Sequence, residues 1–217
     1  TIYDVTAHDK PKGWHLDYLN PARMTIPQTN LRIGYFITNH YNISIGVDHM
    51  KYVMYNDRRV DYSGYYPNAG SYNENPVGDQ LTLDEDFLTF EHTDGLNYVN
   101  TEISRVDDIS SLFKLPNTDK FQINVTEGVG VGLLYPKTNT KLLGKDRYDQ
   151  FHIAGYGLSA KVGLNFTFFK YFFIQTELKG GYIDMNDIRT TSSKADSAEQ
   201  HFWFLQRIVA VGGIFRI

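Results

Sequence analysis

Apolar and polar residues alternate along several stretches of about ten residues. This period of two constrains the chain more than any other feature, because only an extended strand sends successive side chains to opposite faces. Residues 152–166 show it most clearly: Ala154, Tyr156, Leu158, Ala160, Val162, Leu164 and Phe166 make one face, and Gly155, Gly157, Ser159, Lys161, Gly163 and Asn165 the other. Residues 122–134 repeat the pattern, with Ile123, Val125, Val129, Val131 and Leu133 against Gln122, Asn124, Thr126, Gly128, Gly130 and Gly132. Residues 171–182, 30–37, 41–55 and, less cleanly, 96–106 follow. A first strand near residues 2–8 and a last near 202–217 bring the expected number to eight.

The last stretch, HFWFLQRIVAVGGIFRI, carries no charge between Arg207 and Arg216. A strand that presents such a face to its surroundings suits a closed barrel in a bilayer, where apolar side chains meet acyl chains and every backbone group is paired within the wall. Aromatic residues make up 15% of the 217-residue chain, mostly Tyr and Phe, and girdles at the two bilayer interfaces account for them. There is no uninterrupted apolar run of about 18 residues, so a helical span is excluded. The mean hydropathy of −0.38 is compatible with a barrel, whose strands turn every second residue inward. The absence of cysteine removes disulfides and thiolate metal sites. With a net charge of −4 and no run of Lys or Arg, nucleic acid is not an expected partner. The chain starts at Thr1, consistent with removal of a signal peptide or with trimming.

Connection lengths orient the expected barrel. Links at 38–41, 107–119 and 168–171 are short, and those at about 9–25, 55–95, 136–150 and 184–200 are long. They alternate, so the short links fall on the periplasmic side, the long ones become extracellular loops, and both termini are expected in the periplasm. The fold expected is all-β, a single domain over residues 1–217 forming an up-and-down antiparallel transmembrane barrel. Ten strands is the alternative to eight, because Leu81–Phe90 alternates well enough to make a hairpin inside the longest loop.

These segments together resemble the small bacterial outer-membrane β-barrel proteins, the class that includes the OmpA transmembrane domain, OmpW, PagP and PagL. The likeness covers nearly the whole chain and lies in architecture rather than in a motif that selects one member. The terminal Phe215-Arg216-Ile217 is similar to the assembly signal of that class, although most members end in Phe. The resemblance implies residence in the bacterial outer membrane.

Inside a small barrel the wall residues fill the lumen. The inward positions include Arg32, Lys161 and Lys179 and, against them, Asp48, Glu102 and Glu177. Three charges of each sign predict a paired network that plugs the interior, since an unpaired charge there costs several kcal/mol. Two residues strain this scheme: strict alternation puts Glu127 and Arg207 on the lipid face, which predicts a local bulge or a site at the interface.

His8, His15, His49, His92, His152 and His201 all fall toward the extracellular end, and His40 lies at a periplasmic turn. Rim histidines act as interfacial amphiphiles, pair with lipopolysaccharide phosphates or serve as bases. His92, Thr93 and Asp94 place a base, a hydroxyl and a carboxylate together, and they loosely resemble the His-x-Ser-Asn-Gly stretch of outer-membrane acyl hydrolases. The spacing differs, because Thr93 follows His92 directly and adjacent strand residues face opposite ways. The same tripeptide with Gly95 is also an ordinary turn. His49, Lys51 and His152 are the candidate contacts to lipid and lipopolysaccharide, with snorkelling the simpler role for Lys51. No metal spacing and no cofactor motif is present.

Three functions fit this sequence. One is a structural, adhesive or accessory outer-membrane protein with surface loops and a plugged polar lumen. The second is an outer-leaflet acyl hydrolase or acyltransferase acting on lipid A or phospholipid through His92. The third is a narrow transporter of small hydrophobic molecules. The expected partners are outer-membrane lipids and lipopolysaccharide, with another outer-membrane protein as an open alternative.

Overall fold

The computed structural model describes residues 1–9, 30–64, 80–92, 95–145, 148 and 150–215. Among these the chain is all-β, with antiparallel pairing throughout and one single-turn 3-10 segment at Ser110–Phe113. Thirteen strands are present among the described residues. Seven form the main sheet: β2 (Asn30–Phe36), β3 (Tyr41–Met50), β8 (Leu96–Asp108), β9 (Phe121–Leu134), β11 (Gly155–Phe168), β12 (Phe172–Arg189) and β13 (Ser197–Gly213). Their order in the sheet follows their order in the chain, so the sheet is a meander. The alternation of the sequence becomes an alternation of burial. Along β8, Leu96, Tyr98, Asn100, Glu102 and Ser104 are buried, whereas Val99, Thr101, Ile103 and Arg105 are exposed.

The sheet curls strongly. Arg32, on edge strand β2, lies 3.5 Å from Glu177 on β12, the strand next to the opposite edge. Right-handed twist accumulated over seven strands bends a sheet in this sense, and the small inward residues let the concave side close up.

At one end of the sheet a second layer sits where the sequence suggested long loops. β4 (Tyr52–Met54) continues from β3, and β1 (Ala7–Asp9), β4, β7 (Leu88–Glu91) and β10 (Asn139–Leu142) pair side by side. A separate hairpin joins β5 (Arg58–Asp61) to β6 (Gln80–Leu83). The alternating run Leu81–Phe90 thus supplies two strands, but β6 pairs with β5 and β7 with β4 and β10, so it is no hairpin in itself. Residues 184–200, expected as a loop, continue β12 to Arg189 and enter β13 at Ser197. Most of the expected loop 9–25, together with His15, Arg216 and Ile217, lies outside the described residues.

Two further expectations change. The first strand lies beside β4 in the second layer instead of beside β2, with the backbone of Tyr3 bonded to Asp61. Thr1–Asp9 therefore sit at the end of the sheet opposite the Phe168–Phe172 turn, beside which β13 finishes at Gly213. No bulge turns Glu127 or Arg207 inward: both stand exposed on the convex face, in unbroken register with Arg105 and Val162 and with Leu178 respectively. The register shift in β12 falls at Met185/Ile188 instead.

Candidate functional site

Six charged side chains from five strands converge on the concave face. Lys179 on β12 is fully buried and ion-pairs with Asp48 of β3 and, at 2.6 Å, with Glu102 of β8. Lys161 on β11 lies 2.8 Å from both Glu102 and Glu177. Arg32 on β2 closes the ring, 3.4 Å from Asp48, 3.0 Å from Glu102 and 3.5 Å from Glu177. Asn100 donates to the second oxygen of Asp48 at 2.9 Å, and Gln175 donates to Glu177. Gly130 makes room for the network, because a Cβ there would come within 2.8 Å of both the Glu102 side chain and the Ser159 hydroxyl.

The formal charges of the six cancel. In a low-dielectric interior this balance is what makes the arrangement tolerable, because each ion has lost most of its hydration and recovers it only through its partners. Toward the turn end the concave face continues as neutral hydrogen bonds: Asn165 donates to Gln175 at 2.8 Å, Asn124 to Asn165 at 3.2 Å, and Thr167 to Asn165 at 2.6 Å.

On the other side of the network the concave face turns apolar. Tyr98 marks the boundary: its ring centroid lies 5.1 Å from the Lys179 ammonium, and its hydroxyl donates to the Gly157 carbonyl at 3.0 Å. Beyond it Met50, Tyr52, Leu96, Leu134, Ala154, Ile183, Met185 and Ile188 pack with Phe90, Phe202 and Phe204 into one cluster. Two layers of opposite character thus fill the concave side.

His92 is part of this apolar layer. Its ring is fully buried, meets Tyr52 and Phe90 edge-on at 4.8 and 5.1 Å, and has its Nδ1 3.1 Å from the Thr138 hydroxyl. Burial lowers its pKa to about 3, against a smaller opposing effect of Gln200, so the imidazole is neutral at physiological pH. Tyr52 donates to Gln200, and burial raises its phenol well above the usual value. Thr93 and Asp94 lie outside the described residues.

The other candidates are dispersed. His49, expected to face headgroups, is buried with its Nδ1 2.9 Å from the Asn97 side chain, because the two stand opposite each other in the β3–β8 ladder. Lys51 is half-buried between β3 and β4. His152 reaches Asp187 at 2.6 Å; the irregularity in β12 presents that carboxylate by bonding the backbone of both Asn186 and Asp187 to the Ala154 carbonyl. Among the described residues no group of three or more His, Asp or Glu is placed to hold a metal ion.

Thr138, Gln200 and Tyr52 were not legible as partners of His92. They come from three distant segments, and an isolated Thr, Gln or Tyr carries no periodicity signal. Comparison of the chain with family models, curated proteins and solved structures found no match.

Proposed function

We propose that the protein is an outer-membrane β-barrel of structural, adhesive or accessory type, whose lumen is plugged and whose second β layer faces the medium. The observation that carries this reading is the inversion of the sheet. Its convex face exposes Leu31, Ile33, Ile45, Val129, Val131, Leu158, Val162, Leu205, Val209 and Val211, while its concave face buries five charges and half-buries a sixth, Arg32. In water that arrangement leaves a large apolar patch unburied, whereas in a bilayer acyl chains cover it. Rings fit the two interfaces: Tyr156, Tyr182 and Trp203 toward the second layer, and Phe121, Phe168 and Phe172 at the turn end. The 14 residues of β11, tilted as barrel strands are, rise roughly 30 Å, enough to cross the hydrocarbon region.

On this reading the seven strands of the main sheet, whose edges β2 and β13 are not paired with each other among the described residues, form the wall, the tight turns face the periplasm, and the charge network with the apolar layer above it blocks passage. A non-conducting barrel is favoured over a pore. His92 is sealed in the apolar layer with Thr138, so a catalytic base at the rim draws no support from its surroundings.

Two measurements test this reading. Reconstituted in planar bilayers, the protein is expected to give no single-channel steps; regular steps would overturn the plugged lumen. Lipid A mass spectrometry of cells with and without the protein is expected to give identical profiles. A change in acylation abolished by His92→Ala would select the enzyme instead.

A further inference from the structure

The turn end of the sheet carries a ledge that the plugged interior does not use. Phe169 and Lys170, between β11 and β12, both adopt left-handed backbone (φ 54° and 67°), as does Lys114 (φ 52°) after the 3-10 turn. Successive left-handed residues in a hairpin turn are the province of Asn and Gly; Phe and Lys accept the strain only where the surroundings hold them. Here the Phe169 amide donates to the Lys120 carbonyl at 2.9 Å and Lys170 ion-pairs with Asp119 at 2.6 Å, fastening two neighbouring connections together. The fastened turns expose Leu112, Phe113, Phe169 and Tyr171. These continue an aromatic row, Phe121, Phe168 and Phe172, on the wall itself.

The charges of the ledge are unequal once partners are assigned. Asp107 is taken by Arg105 at 2.7 Å, Asp108 accepts from the Ser110 amide at 2.8 Å, and Asp119 is held by Lys170. Among the described residues Lys114 and Lys120 have no carboxylate partner. Two uncommitted ammonium groups therefore flank a set of exposed apolar side chains at the end of an apolar wall.

We propose that this ledge anchors the protein in the inner leaflet by binding the phosphate of anionic phospholipid, with Phe113 and Phe169 in the acyl boundary and Lys114 and Lys120 on the phosphates. The proposal rests on the membrane reading above. Rings at headgroup depth with lysine ammonium groups beside them match a phosphodiester surface in both polarity and charge.

The test uses the full chain in bilayers and spin-labelled phosphatidylglycerol against spin-labelled phosphatidylcholine. The wild type is expected to enrich phosphatidylglycerol in its motionally restricted shell, and Lys114→Gln with Lys120→Gln to lower that enrichment, by up to about fivefold for each lysine. A second variant, Phe169→Asn with Lys170→Gly, suits the turn better and so keeps the fold; it is expected to weaken the enrichment as well. Quenching of Trp203 by bromine on the acyl chains, read with Trp14→Phe in place, reports insertion independently. Quenching without selectivity overturns the anchor and leaves the membrane reading standing, as does loss of selectivity on formation of a dimer through the ledge. Absence of quenching overturns both.

Discussion

Lys179 and Glu102 stand 2.6 Å apart across the concave face, on strands separated by two others, and neither is exposed to solvent. Only a sheet curled this far brings β12 and β8 together, so the pair reports on the curvature as much as on the charge balance. Truncating Lys179→Met leaves Asp48 and Glu102 with fewer cations and is expected to destabilise the fold by about 3–5 kcal/mol. Adding Asp48→Asn is expected to recover part of the loss. Urea unfolding in lipid vesicles measures both, and a neutral Lys179→Met would show that the network contributes nothing.

The neutral His92 makes stability depend on pH. Its folded pKa, about 3, lies below the unfolded value of about 6.5, so the unfolded chain binds a proton that the folded chain refuses. The contribution is fully present above pH 6.5 and falls as the pH drops from there toward 3, at up to about 1.4 kcal/mol per unit. His92→Gln is expected to flatten that part of the profile, as read from unfolding midpoints at successive pH values. An unchanged slope would mean that the ring meets water.

Replacing Phe169 by Asn and Lys170 by Gly gives the turn between β11 and β12 residues suited to left-handed backbone. The double variant is expected to be more stable by about 1 kcal/mol or more, since each strained position costs of that order. Equilibrium unfolding decides, and a loss of stability would indicate that the Phe169 ring and the Lys170–Asp119 pair together contribute more than the strain removes.

Arg207 is exposed among Leu178, Leu205 and Val209 on the convex face. In a bilayer Arg207→Leu is expected to stabilise the protein, by up to about 2–4 kcal/mol if the charge lies near the midplane and less toward an interface. A destabilised Arg207→Leu, measured by unfolding in vesicles, would mean that the guanidinium has a partner of its own.

The seven strands of the main sheet and their faces were legible because each carries seven or more residues of apolar and polar alternation, least cleanly in β8. The six interior charges could be grouped by sign from the same rhythm. What stayed hidden has a common cause. β4, β5, β6, β7 and β10 are three or four residues long, too short for a period to reveal their pairing, and their partners lie far away in sequence. His92 packs against Tyr52 and Phe90 of this second layer and His49 against Asn97, so these two of the histidines read as a rim cluster turn out to be interior side chains, whereas His8 and His201 are exposed. Glu127 and Arg207 show the opposite case: alternation placed them outward, and the ladder keeps them there.

On the membrane reading proposed above, the convex face meets acyl chains and the concave face does not. The chain has no cysteine, so single cysteines can be introduced along residues 156–166 of β11 and spin-labelled without background. In reconstituted bilayers, labels at Tyr156, Leu158, Ala160, Val162 and Leu164 should collide with oxygen and be shielded from a water-soluble nickel chelate, while those at Ser159 and Lys161 should be shielded from oxygen. Free access of the chelate to the convex positions would place that face in water and overturn the membrane reading.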